Sequence, residues 1–156
     1  MYEQIVALLQ RRGVPFEMHA HVVARTVAEV EERLSFPREQ WLKTIVFRLK
    51  GGGWVLAGLR AQDRVDYKKL AAGLGVGRDQ LASAAPEEVE AALGYEVGGV
   101  GPLPPGADSR AVFDNRLLGL GTVYCGSGRS DRTLAIDLQD MIAAAGGTVL
   151  DIAREG

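Results

Sequence analysis

The sequence predicts a mixed α+β domain in which a mixed, largely antiparallel, barrel-like sheet is flanked by helices. Three observations predict it. Stretches rich in β-formers and stretches of helical periodicity are interleaved irregularly, where a doubly wound fold would alternate them. Leu42–Leu49 and Trp54–Leu59 flank Gly51-Gly52-Gly53, which reads as a hairpin and hence as an antiparallel pair. The 156 residues suffice for one compact domain over 1–156 and are too few for two of ordinary size.

The elements follow in order. Ile5, Leu8 and Leu9 share one face of a helix over residues 2–12, and Gly13 suits its stop. Val14 to His19 reads as a strand. Thr26-Val27-Ala28-Glu29 fits a capping box and opens a helix over about 27–34. After the hairpin, Asp66 caps a helix running through Lys68, Lys69, Leu70 and Leu74. Pro86-Glu87-Glu88 opens another, since proline is tolerated in the first turn and acids favour the helix dipole there; Gly94 ends it. Ala111–Asp114, Gly121–Tyr124 and Thr133–Asp137 read as strands. Leu138–Ala145 is a helix stopped by Gly146-Gly147, and Thr148–Ile152 is a last strand.

Composition narrows the function classes. With 47% hydrophobic and 24% charged residues the chain is of globular type. No apolar run approaches the roughly 20 residues of a membrane helix, so no membrane partner is expected. Met1–Arg12 lacks the basic start, apolar centre and cleavage site of a secretion signal. A single cysteine, Cys125, excludes an internal disulfide, and a cytoplasmic location is expected. The formal net charge of −2 argues against a protein that grips a long stretch of nucleic acid, so any such contact should be small and local.

No cofactor is expected. A metal site would have to be built from His19, His21 and a distant carboxylate, and no HExxH or paired CxxC occurs. No GxSxG elbow marks a serine nucleophile. Cys125, in an apolar strand, reads as a small core residue more readily than as a nucleophile. Two features stand out. Gly98-Gly99-Val100-Gly101-Pro102 does not match a P-loop; it is either a wide turn or a loop whose exposed amides line a pocket and polarise a carbonyl. Lys43 stands at the start of an apolar strand, where burial of an ammonium demands an anionic partner or a functional reason; the alternative is a sheet-edge lysine that keeps its charge in water.

These residues carry a resemblance. Lys43-Thr44-Ile45-Val46-Phe47, Asp66-Tyr67-Lys68-Lys69-Leu70, Gly94 through Pro102, Tyr124-Cys125-Gly126-Ser127-Gly128 and Leu134-Ala135-Ile136-Asp137 occur in this order. Together they resemble the YbaK family, which includes the editing domain of bacterial prolyl-tRNA synthetase and its free-standing relatives, over about residues 14–153. The resemblance implies a YbaK-like mixed β-barrel flanked by helices. It implies hydrolysis, without a metal, of the ester between a wrongly attached small amino acid, such as alanine or cysteine, and the 3′-terminal adenosine of a tRNA, most often that of proline. The implied partners are the acceptor end of an aminoacyl-tRNA and, in some settings, an aminoacyl-tRNA synthetase. The implied catalytic residues are Lys43, the loop glycines Gly98, Gly99 and Gly101, and Asp137. The implied substrate contacts are His21, Thr44, Val100, Pro102, Gly126, Ser127 and Gly128. A relative with a pocket tyrosine aligns it close to position 21, which is histidine here. Asp137 has a second reading as the N-cap of the helix over 138–145. The alternative to the enzyme is a pocket that binds an amino acid or nucleotide without turnover, as a synthetase-associated accessory.

Overall fold

The computed structural model describes residues 1–21 and 36–155. Two sheets organise them. The larger has the strand order β4-β2-β3-β5-β8, with β2 at Leu42–Leu49, β3 at Trp54–Arg60, β4 at Leu81–Ser83, β5 at Ser109–Asp114 and β8 at Thr148–Leu150. The smaller has the order β1-β7-β6, with β1 at Phe16–Ala20, β6 at Thr122–Gly126 and β7 at Arg132–Asp137. Pairings are antiparallel except β3 with β5 and β5 with β8. The mixed, largely antiparallel character is therefore as the sequence predicts, while the barrel is not closed: an isolated parallel bridge, Trp41 to Tyr124, links the two sheets.

Four helices among the described residues cover the sheets: α1 at Tyr2–Arg12, α2 at Tyr67–Leu74, α3 at Pro86–Leu93 and α4 at Leu138–Ala145. The helix expected over 27–34 lies outside the described residues. Strand alternation explains why β2 carries apolar residues on both faces. Leu42 and Val46 enter a core shared with α1, α3, α4, β6 and β7, while Ile45, Phe47 and Leu49 face a second core covered by α2. The strand is thus covered on both faces, which is why Ile45, Val46 and Phe47 run apolar without alternation.

Two polar devices pin the fold. The wholly buried Asp114 accepts hydrogen bonds from the amides of Ile152 at 2.9 Å, Ala153 at 3.1 Å and Arg116 at 3.1 Å, so its carboxylate is satisfied by main chain. The second is a seam between two glycine-rich loops. The Gly128 amide donates to the Gly99 carbonyl at 2.8 Å, and the Glu96 amide donates to the Gly128 carbonyl at 3.2 Å. A Cβ on Gly99 would lie 2.6 Å from the Arg129 backbone, and one on Gly101 would fall on the Gly126 carbonyl oxygen. Only glycine lets these two chains approach so closely.

Candidate active site

A cavity of about 300 Å³ opens beside β2. Its walls are largely apolar, with Leu42, Val46, Ala84, Val89, Val97 and Val100 among them. The polar groups are few and convergent, as in small-molecule sites: His21, Lys43, Thr44, Arg132 and Thr133, together with the main chain of Gly98 and Gly126.

Lys43 brings a cation to this apolar wall. It is half-buried at the start of β2, and no ion-pair partner stands within 4 Å of it among the described residues. Loss of hydration pushes its ammonium below the ordinary lysine value, a shift that Asp63 opposes and Arg64 reinforces. Asp63 is itself occupied: it accepts from Arg60 at 2.8 and 3.2 Å and from Arg116 at 3.3 Å, and the Arg60 hydrogen bond foremost holds its carboxyl below the usual range. Lys43 is therefore a cavity-lining cation without an ion-pair partner among the described residues.

The glycine loop divides into two parts. Gly98, with φ of 90°, and Val100 line the cavity, and their amides have no acceptor among the described residues. They are free to polarise an oxygen placed in the cavity. The Gly99 amide donates to the Glu96 carbonyl at 2.8 Å, so Gly99 and Gly101 serve the seam behind the wall. Pro102 is buried. Ser127 is wholly buried and donates through Oγ to the Arg132 carbonyl at 2.7 Å, and Gly128 packs against the Tyr2 backbone; none of the three lines the cavity.

Asp137 is exposed, outside the cavity lining, and caps α4 by accepting from the amides of Gln139 at 2.9 Å and Asp140 at 3.3 Å. The cap reading is thus the one its contacts express, and the charges that act on Lys43 are Asp63 and Arg64. Cys125 lines the cavity but is 2% exposed, and burial pushes its thiol up to about 12, which keeps it protonated and poorly nucleophilic at neutral pH. Among the described residues no group of three or more His, Cys, Asp or Glu is placed to hold a metal ion. No described helix is long and apolar enough to cross a membrane.

Sequence reasoning did not single out Arg132 and Thr133. Thr133 is 4% exposed, and its Oγ1 lies 2.9 Å from His21 Nε2, which fixes a polar pair in the cavity wall. A threonine in an otherwise apolar strand was the available signal, because a buried hydroxyl needs a partner. Trp41 Nε1 and Thr44 Oγ1 are buried without a hydrogen-bond partner in the structure.

Comparison with known proteins identifies the family and the fold. Residues 21–144 match the model of the aminoacyl-tRNA editing domain family. The chain is 33% identical over 108 residues to a proline–tRNA ligase of Exiguobacterium sibiricum, covering 69% of this chain and 18% of that one; it thus spans less than a fifth of the ligase. It is 27% identical over 148 residues to the multifunctional Ser/Thr-tRNA deacylase ProXp-y of Escherichia coli K12, covering 92% of this chain and 87% of that one. A crystal structure described as that of a candidate trans-editing enzyme for prolyl tRNA synthetase superposes with a TM-score of 0.83 at 24% identity, over 99% of this chain and 97% of the other, which shows the shared fold.

Proposed function

The chain belongs to the aminoacyl-tRNA editing domain family, and from that premise we propose that it is a trans-acting hydrolase that removes a small, wrongly attached amino acid from transfer RNA. The observation that carries the reading is the cavity itself: an apolar cleft in which, among the described residues, Lys43 has no ion-pair partner and the amides of Gly98 and Val100 have no acceptor. An aminoacyl ester is already activated, so its hydrolysis depends on positioning and oxyanion stabilisation more than on a strong nucleophile. The 3′-terminal adenosine enters with its phosphate toward Lys43, which acts as a compact point charge. The acyl group enters the apolar cleft, and the loop amides hold the carbonyl oxygen as negative charge develops on it. Water adds to the carbonyl carbon, the ester C–O bond breaks, and the ribose oxygen leaves with a proton derived from that water. The products are the free amino acid and uncharged tRNA. The near full-length match to the Escherichia coli deacylase supports action in trans, and the ligase matches support proline tRNA as one substrate body.

The test is release of labelled amino acid from a panel of mischarged tRNAs. Alanyl-, cysteinyl-, seryl- or threonyl-tRNA should be cleaved and phenylalanyl-tRNA spared, because a tight apolar pocket rejects oversize groups far better than it separates single methylenes. Comparable rates on small and aromatic acyl groups would sink the size sieve. Binding of aminoacyl-tRNA without release would make the protein a binder rather than an enzyme.

A further inference from the structure

The edge of β2 is interrupted at Thr44. The Leu49 amide donates to the Gly53 carbonyl at 2.9 Å and the Ala61 amide donates to the Trp41 carbonyl at 3.1 Å, so the odd-numbered residues of this stretch turn their peptide groups toward β3. In an antiparallel ladder the alternate residues then face the opposite edge. On that edge Lys50 donates to the Gln80 carbonyl and the Val46 carbonyl accepts from Ala84, both at 2.9 Å. The β4 register pairs Phe47 with Ser83 and Leu49 with Leu81; continued, it sets residue 86 opposite Thr44. Residue 86 is proline, which has no N–H and opens α3, so the ladder stops there. At the other end Trp41 is bridged to Tyr124. Thr44 thus directs its N–H and C=O toward an edge where no strand pairs with it among the described residues, and Thr44, Ala84 and Pro86 all line the cavity.

An aminoacyl ester carries a donor, its α-ammonium, and an acceptor, its carbonyl oxygen, in the relation that a residue's N–H and C=O have in a strand. Adding an extended ligand to an unpaired sheet edge is a recurrent binding mode. We propose that the aminoacyl group docks as a one-residue continuation of the β4 ladder, its α-ammonium donating to the Thr44 carbonyl and its ester carbonyl accepting from the Thr44 N–H. The protein then reads a free α-ammonium through main chain, and acyl groups that lack one are poor substrates whatever their size. The inference rests on the deacylase reading and adds how the acyl group is held.

The experiment compares alanyl-, lactyl- and N-acetylalanyl-tRNA on one tRNA body under single turnover, each rate divided by that ester's spontaneous hydrolysis. Lactate replaces the ammonium by a hydroxyl at nearly equal volume, which separates charge from bulk. Both modified esters should react at least about tenfold more slowly than alanyl-tRNA, the discrimination that one charge-assisted hydrogen bond supplies. Thr44→Val, which keeps the main chain and removes the hydroxyl, should retain the preference. Either modified ester reacting at the alanyl rate, or loss of the preference in Thr44→Val, overturns the proposal. If neither these three nor any tRNA of the mischarged panel is hydrolysed, the deacylase reading falls; whenever alanyl-tRNA is not hydrolysed, docking is decided by binding of 3′-alanylamino-3′-deoxyadenosine against its N-acetyl derivative: tenfold tighter binding of the free amine supports it, and equal affinity overturns it.

Discussion

Lys43 and Lys69 are both partly buried lysines held in opposite electrostatic settings. Lys69 Nζ donates to Glu155 Oε1 at 3.0 Å, to Asp151 Oδ1 at 3.2 Å and to the Ala153 carbonyl at 2.9 Å, and the two carboxylates, Glu155 foremost, raise its pKa. Lys43 has no such partners among the described residues, and burial lowers its pKa. An ammonium has three N–H donors. On Lys69 all three are spent on the C-terminal segment, which makes it a brace. On Lys43 they remain available, in a place where keeping a charge is unfavourable unless a ligand compensates it. The difference separates a lysine that serves the fold from one that, in the function proposed above, serves a substrate.

The sharpest break of this comparison is Lys43→Ala. Deacylation kcat/KM should fall roughly a hundredfold, about 2.7 kcal/mol of transition-state stabilisation, with the melting temperature unchanged or slightly raised because a poorly hydrated charge is gone. Lys43→Arg should rescue poorly, since a planar guanidinium does not replace a compact ammonium in a close-fitting cleft. An alanine variant that melts normally and deacylates at the native rate would remove Lys43 from the site.

Titration tests the same contrast without mutation. The folded pKa of Lys43 is lowered, so its charged form is disfavoured by folding. The associated stability cost is present at neutral pH and is relieved as pH rises through the folded pKa. Activity runs the other way, because the ammonium is the useful form. After subtraction of spontaneous hydrolysis, kcat/KM should lose about tenfold per pH unit above a pKa lying below 10.5, and Lys43→Arg should abolish that limb. A pH profile identical in wild type and Lys43→Arg would assign the limb to another group.

Two smaller effects complete the contrast on the structural side. Asp137→Ala should cost about 1 kcal/mol, as loss of a helix cap does, and leave kcat/KM within about twofold of wild type, the spread expected for a group outside the site. A loss of activity much larger than the loss of stability would restore Asp137 to catalysis. Lys69→Met should lower the melting temperature only slightly, with the difference shrinking in high salt as exposed ion pairs do, and deacylation should not change.

The fold was legible in the sequence wherever a local pattern decided it. The hairpin, the Asp66 and Asp137 caps and the proline-opened helix at residue 86 all rest on propensities of a few neighbouring residues. Long-range pairing was not legible. Nothing local says that β5 joins β3 in parallel or that the strands divide into two sheets, so the sequence predicts a mixed, barrel-like sheet without its strand order. The site shows the same division. Lys43 was visible as a charge in an apolar strand, and the Gly98–Pro102 loop as a dense run of glycine. That only part of the loop faces the cavity depends on its packing against residues 126–129, some 25 positions away. Arg132 and Thr133 were missed because their relevance comes from β7 lying beside β1, which brings Thr133 to His21.

The glycine seam bears on how such a pocket could change its substrate. Where peptide packs against peptide, at Gly99, Gly101 and Gly126, there are no side chains to exchange. Any residue larger than glycine at 99 or 101 would drive the two loops apart, and one at 126 would strike the Val100 carbonyl. The seam itself is closed to adjustment by point mutation. Retuning has to proceed at the side chains that line the cavity, where His21, Thr44, Ala84 and Thr133 each contribute volume or polarity. A library begun at these four positions would vary selectivity while leaving the seam, and the backbone it holds, untouched.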